Sequence, residues 1–236
     1  MDYFICIETS GDVCSVALCS YSGEIITREC WEKNSHSRYL TVELEKLFSE
    51  FIEDKEKQIL AIAVSQGPGS YTGLRIGVST AKGLAYALDK PLIAIDTLAV
   101  MLENLKQNHS GIVEKADYFV PMIDARRMEV YYKIFDKTSR ELSGADNLVL
   151  DESSFSDILS QGKVVFFGSG ADKFSKVLHN SNAVFVRDIV PLAKYMYQLT
   201  KERFDAKLYE DVAYFEPFYL KPFIPTTKPK DLLGNA

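Results

Sequence analysis

Two acidic residues stand where a chain could hold a nucleotide. Glu8 closes an apolar run over 3–8 and is followed by Thr9-Ser10-Gly11, and Asp124 closes a run over 118–123 and is followed by Ala125-Arg126-Arg127. A carboxylate at a strand end beside a small-residue turn can carry magnesium and the phosphates it binds. Kinases of related layout use Asp and a glycine-rich hairpin there, so the pattern fits equally a strand ending near solvent and a polar hairpin tip. Glu8, Thr9, Ser10 and Asp124 are the candidates for a ligand cleft, and they specify no cofactor. A second candidate is Gly67-Pro68-Gly69-Ser70, part of a G-x-G-x-x-x-G run. It is neither the dinucleotide fingerprint nor a P-loop, because no Gly-Lys-Ser/Thr follows at the required spacing. Its backbone N–H groups at a helix start suit an anion, but a tight strand-to-helix turn without ligand is the reading the spacing favours. Ser70 has no nearby histidine in sequence to act as its base. His36, His109 and His179 share no metal-ligand spacing, and Cys6, Cys14, Cys19 and Cys30 contain no Cys-x-x-Cys pair. All four cysteines lie in strand-like text and read as small reduced core residues.

These residues need elements to position them. Residues 59–64 form a continuous apolar run of strand length, the glycine turn follows, and 72–88 reads as one helix, which is half of a βαβ unit. On that helix Gly73, Gly77, Ala81 and Ala85 recur every fourth residue as one bare ridge. Gly73, Gly77 and Gly83 each cost about 1 kcal/mol against alanine inside a helix, so something must approach closely: the sheet, another helix of this chain, or a helix of another chain. Before this unit, runs over 3–8, 13–20 and 24–31 read as an antiparallel meander. A helix follows to about residue 52, with Ser35 or Ser37 as its N-cap and Leu40, Leu44, Leu47, Phe48 and Phe51 on one face. A strand over 91–95 and a helix over 97–105 complete a β-β-β-α-β-α-β-α order, a ribonuclease-H-like layout. The second half repeats it faintly: strands over 118–123 and 128–135, strand–glycine–helix over 163–178, and a helix over 192–204. The expected fold is therefore α/β: two ribonuclease-H-like halves of actin, hexokinase and Hsp70 type, mixed sheets flanked by helices, divided as residues 1–110 and 111–236. Ligands in such folds lie between the halves, where Glu8 and Asp124 would point. The proline- and aromatic-rich text from 211 onward reads as a tail docked on the body by its aromatics, with an RNA-stacking tail as the alternative.

The totals narrow the function classes. With 236 residues, 47% hydrophobic and 25% charged, the chain has the balance of a soluble globular protein. Its formal net charge of −6 disfavours a free-standing nucleic-acid binder. No apolar run reaches membrane-spanning length, and the first strand starts too early for a secretory signal, so a reducing cytoplasm is expected.

The stretch GPGSYTGLRIGVSTAKGLAYALDKPLIAIDTL over 67–98 resembles the signature of the TsaB (YeaZ) proteins, with further matches in IETS and CSVAL over 7–18, the His36-Ser37 helix start with Leu40, and MIDARRMEVYYKIF over 122–135. The match is dense in the N-terminal half and thin in the C-terminal half. The resemblance implies a role in forming threonylcarbamoyladenosine next to the anticodon of tRNA. It implies a non-catalytic scaffold for the paralogue TsaD, the threonylcarbamoyltransferase, with a TsaE-type ATPase joining through the complex. It also implies a homodimer when alone, tRNA contact mainly through the complex, and no cofactor. The implied partner surface uses the two N-terminal helices, with Leu40, Leu44, Gly73, Arg75, Gly77 and Ala81 as its expected residues. In the catalytic paralogue the segment after the last N-terminal strand reads Asn-His-Leu-Glu-Gly-His, and its histidines lie one helical turn apart. Here Asp96-Thr97-Leu98-Ala99-Val100-Met101 stands in that place, and a hydroxyl and a thioether make a poor site for a hard or borderline divalent metal. No catalytic residue and no metal ligand is therefore expected. The competing reading is an enzyme in its own right, either nucleotide-binding or a metallopeptidase of the glycoprotease type.

Overall fold

The computed structural model describes residues 2–221. The first half supplies β1 (Tyr3–Glu8), β2 (Cys14–Ser20), β3 (Ile25–Cys30), α1 (His36–Phe51), α2 (Lys55–Gln58), β4 (Ile59–Gly67), α3 (Tyr71–Leu88), β5 (Leu92–Asp96) and α4 (Thr97–Asn108). The second supplies α5 (Ser110–Val113), β6 (Tyr118–Asp124), β7 (Glu129–Tyr132), β8 (Phe135–Asp136), β9 (Asp146–Val149), α6 (Ser156–Gln161), β10 (Val164–Phe167), α7 (Ala171–Phe174), β11 (Ala183–Val186), a 3-10 turn (Ala193–Met196) and α8 (Tyr197–Asp205).

The two sheets share one plan. The first runs β3-β2-β1-β4-β5, and the second, read from its other edge, runs β9-β7-β6-β10-β11. In each, the first strand pairs antiparallel with its hairpin partner and parallel with the strand after the crossover. The α/β fold of two mixed sheets flanked by helices is thus present, and the duplication seen faintly in the element order is a repeated strand order. β1 lies between β2 and β4 with both faces covered, which is why YFICIE is a continuous apolar run rather than an alternation. Trp31 lies just beyond edge strand β3 and is 61% exposed.

Helices and sheets stack in layers. One face of the first sheet packs against α1 and α3 through Ile5, Ile7, Leu40, Leu44, Leu47, Val78 and Ala81. Its other face meets α4 through Val100, the 3-10 turn through Ala193 and Met196, and α8 through Leu199 and Phe204. α4 presents Leu98, Met101, Leu102 and Leu105 to Phe119, Phe135, Val165 and Phe167 of the second sheet, so it lies sandwiched between the two. α6 and α7 close the far side of the second sheet through Leu159, Ala171 and Phe174.

Three elements depart from the sequence reading. The helix expected to run to residue 178 is the single turn α7, Ala171–Phe174. The run over 192–204, read as one helix of the second half, is a 3-10 turn followed by α8, and it packs on the first sheet. The Ala193 N–H donates to Ser15 Oγ at 2.9 Å, and the Phe204 ring lies 5.1 Å from that of Phe4. The strand expected over 128–135 is broken into β7 and β8, and the break falls where Lys133 is buried with its ammonium held by Asp96 and Glu141.

Candidate functional site

The close approach that the glycine ridge demands is made by the chain itself. The turn after β1 lies under the start of α3: Thr9 Oγ1 donates to the Gly73 carbonyl at 2.8 Å, and the Ser70 N–H donates to the Ser10 carbonyl at 2.7 Å. A Cβ at Gly69 would stand 2.5 Å from the Ser10 carbonyl oxygen, one at Gly73 2.1 Å from that of Thr9, and one at Gly77 2.2 Å from Thr9 Oγ1. Ser70 caps α3 by accepting from the Gly73 N–H at 3.3 Å, so two donors of the glycine loop serve the chain rather than an anion. From the other side, His36 Nε2 lies 3.0 Å from the Gly11 carbonyl oxygen. His36 is thus a helix-start residue that pins the same turn.

This packing corrects two expectations. Glu8, Thr9 and Ser10 line no open cleft; all three are buried. Glu8 Oε1 accepts from the Ser10 N–H at 2.7 Å and from Ser10 Oγ at 2.6 Å, while Oε2 and the neighbouring Ser65 hydroxyl are buried without a hydrogen bond. Burial pushes the Glu8 carboxyl above the ordinary carboxylate range, against the pull of the Ser10 bonds. The second correction concerns the expected partner surface. Leu40, Leu44, Gly73, Gly77 and Ala81 all face inward, because the sheet and the Thr9 turn occupy that side of the helices; of the six expected residues only Arg75 is exposed.

Asp124 is exposed and does not meet Glu8. Its Oδ1 accepts from the Arg126 N–H at 2.7 Å and from Lys173 Nζ at 2.6 Å, and Lys173 also donates to the carbonyls of Arg127 and Glu129. Arg126 and Arg127 both adopt left-handed backbone, φ 74° and 47°. The arrangement is a polar hairpin tip held by Lys173.

Between the two sheets lies the segment where the resemblance puts the paralogue's histidines. Asp96 Oδ1 caps α4 by accepting from the N–H groups of Leu98 and Ala99, and Oδ2 accepts from Lys133 Nζ at 2.7 Å. Lys133 also donates to Glu141 Oε2 at 2.8 Å. Burial opposes the Lys133 charge, yet Asp96 and Glu141 together hold its pKa above the ordinary lysine value. Thr97 is fully buried with an unpartnered hydroxyl. Met101 packs its methyl against Gly168, where a Cβ would come within 2.1 Å of Met101 Cε. The donors at this position are a hydroxyl and a thioether set in close packing, and they do not fit a catalytic divalent metal. Among the described residues no group of three or more His, Cys, Asp or Glu is gathered for one.

What remains open is the outer face of the helix pair. α1 exposes Ser37, Thr41, Val42 and Glu45, and α3 exposes Thr72, Arg75, Ser79, Gly83 and Tyr86. Gly83 differs from the other two glycines of α3, since a Cβ there would meet nothing within 4 Å. Along one flank of α3 runs the tail. Lys82 Nζ donates to the carbonyls of Ala213 and Phe215, Arg75 Nε donates to the Tyr219 hydroxyl, and the Tyr219 and Tyr71 rings meet at a tilt with centroids 4.8 Å apart. The tail is thus docked partly by aromatics, as expected, although Tyr214 remains 84% exposed. Of the lysines behind the RNA-stacking alternative, Lys221 is ion-paired with Glu129, and Lys228 and Lys230 lie outside the described residues.

Comparison with known proteins follows the same lines. The family model of TsaD, tRNA N6-adenosine threonylcarbamoyltransferase, matches residues 32–214. The tRNA threonylcarbamoyladenosine biosynthesis protein TsaB of Haemophilus influenzae is 33% identical over 128 residues, covering 54% of this chain and 51% of that protein, so the matched stretch spans about half of its length. TsaB of Escherichia coli is 27% identical over 224 residues, covering 92% of this chain and 94% of that one. A tRNA N6-adenosine threonylcarbamoyltransferase of Neorickettsia sennetsu is 28% identical over 188 residues, 73% of this chain and 50% of its own. Among solved structures, YeaZ from Pseudomonas aeruginosa superposes with a TM-score of 0.79 at 22% identity, covering 93% of this chain and 100% of that one, a likeness of fold.

Proposed function

Because this chain belongs to the TsaD family of threonylcarbamoyltransferases, on its TsaB (YeaZ) branch, we propose that it acts in tRNA threonylcarbamoyladenosine biosynthesis as a non-catalytic scaffold. Its partner is a TsaD-type paralogue, and it meets that partner through the exposed faces of α1 and α3. A TsaE-type ATPase and tRNA reach it mainly through the complex, and the same face forms a homodimer when the chain is alone. The setting is the cytoplasm. The division into units at residue 110 belongs to this reading, with residues 193–205 returning to the first unit.

The observation that carries the partner surface is Gly83. Gly73 and Gly77 are accounted for by the Thr9 turn, but Gly83 lies on the outer face between Ser79 and Tyr86, in a groove it shares with Asp211, Val212 and Ala213 of the tail, and an added Cβ there would meet nothing within 4 Å. A helix that keeps a glycine there loses about 1 kcal/mol and leaves room for a second helix to approach. The non-catalytic half of the proposal is supported by the close packing of Thr97 and Met101.

The test is co-purification with the TsaD of the same organism, sized by light scattering, alongside reconstituted threonylcarbamoyl transfer. A stable complex and loss of transfer when this chain is omitted are expected. Gly83→Trp should remove the complex and leave the melting temperature close to the parent's. Transfer that proceeds unchanged without this chain would overturn the proposal.

A further inference from the structure

Of the four cysteines, two are opposed across an edge of the first sheet. Cys14 on β2 pairs in register with Cys30 on β3. The Ser20 N–H donates to the Glu24 carbonyl at the hairpin end, and hydrogen-bonded pairs alternate along an antiparallel ladder, so Cys14 and Cys30 form a hydrogen-bonded pair with Cα atoms about 5.5 Å apart. That separation lies inside the range that disulfides span. Both side chains lie on the α1 side of the sheet: Cys14 belongs to the cluster of Val16 and Leu18, and Cys30 packs against the same cluster. β3 is an edge strand and Cys30 is half-buried, so a small reagent can reach it. The other thiol pair differs on each point. Cys6 and Cys19 lie 3.8 Å apart but are diagonal in register and completely buried.

We infer that Cys14 and Cys30 are a redox site that a hydroperoxide converts to a reversible disulfide. The Cys30 thiol gives up its proton, its sulfur attacks the peroxide oxygen, the O–O bond breaks, and the departing hydroxide or alkoxide takes up that proton as water or an alcohol, giving the Cys30 sulfenic acid. The Cys14 sulfur then attacks the Cys30 sulfur. The S–S bond forms, the S–O bond breaks, and the hydroxide leaves with the Cys14 proton as water. In sum two thiols lose two hydrogens, and the hydroperoxide is reduced to water and an alcohol, or to two waters. Burial pushes the Cys14 thiol up to about 12, which makes the second step the slow one. The bond would join an edge strand to its neighbour, where a dithiol can reach it and reduce it again.

The bond reaches beyond the sheet. In the reduced protein Cys30 Sγ lies 3.3 Å from Ser35 Oγ, and Ser35 is the N-cap residue of α1. Turning Cys30 toward Cys14 removes that contact at the start of a helix assigned above to the partner surface. The chemistry itself does not rest on that assignment.

The reduced full-length protein is treated with hydrogen peroxide, and its intact mass and non-reduced peptide map are read. The expected result is a loss of two hydrogens, a peptide linking Cys14 to Cys30, return of both thiols with dithiothreitol, and a dimedone adduct on Cys30 at early times. Cys30→Ser should abolish the link and Cys6→Ser should keep it. An unchanged mass, a Cys6–Cys19 link, or Cys30 found only as sulfinic or sulfonic acid would overturn the inference. The map is made on the parent chain, so the result does not depend on any variant folding.

Discussion

Glu8 is enclosed with one oxygen accepting twice from Ser10 and the other unpaired beside the Ser65 hydroxyl, and burial of this carboxyl sets a pH dependence. Its folded pKa lies above the ordinary 4.5, so the folded state keeps a proton that the unfolded chain has already released. The stability tied to this proton is complete below about 4.5 and is lost as pH rises through the folded value. Glu8→Gln keeps an acceptor for Ser10 and adds a neutral donor toward Ser65. It should be close to neutral in acid and increasingly stabilising relative to the parent toward neutral pH, read as the difference in melting temperature across a pH series. A constant difference at all pH values would show that Glu8 does not carry this proton. At the same scale, Lys133 is nearly buried between Asp96 and Glu141. Lys133→Ala leaves Asp96 uncompensated between the sheets and should cost roughly 3 kcal/mol in urea unfolding.

At the scale of elements, α3 offers a contrast within one helix. Gly73→Ala drives a methyl into the Thr9 carbonyl, while Gly83→Ala meets open space. The first should destabilise by about 2 kcal/mol through overpacking, and the second should stabilise by about 1 kcal/mol through helix propensity. Chemical denaturation of the two variants checks both signs. The ridge was legible in the sequence because three glycines in one helix demand an explanation. Its partner was not, because Thr9 lies 64 positions from Gly73 and no local pattern joins a turn to a distant helix. The same limit hid the direction of Leu40 and Leu44: helical spacing marks an apolar face but not what covers it. β9 and β11, at four residues each, were too short to register as periodic runs. Lys133 sits in alternating text where a charged residue ordinarily faces water, so nothing local marked it as buried.

At the scale of the molecule, two sheets of one plan enclose α4, and the Asp96–Lys133 ion pair ties the end of β5 to the strand region after β7. The repeat of element order was legible, and right-handed crossovers leave few strand orders open once strand–glycine–helix appears twice, but the two edge strands of the second sheet were not. The return of the 3-10 turn and α8 to the first sheet was not, because a helix in sequence carries no address. That return has a consequence for synthesis. The face of the first sheet that includes Phe4, Cys6 and Ala17 is covered by Ala193 and Met196, which leave the ribosome long after β1. At a typical elongation rate the nascent first half waits on the order of 10 s with that apolar face bare. A fragment ending at residue 110 should therefore aggregate or bind chaperones when expressed alone, and a co-expressed piece carrying residues 186–221 should restore its solubility. The earliest-made half of this protein is completed by some of the last residues to be made.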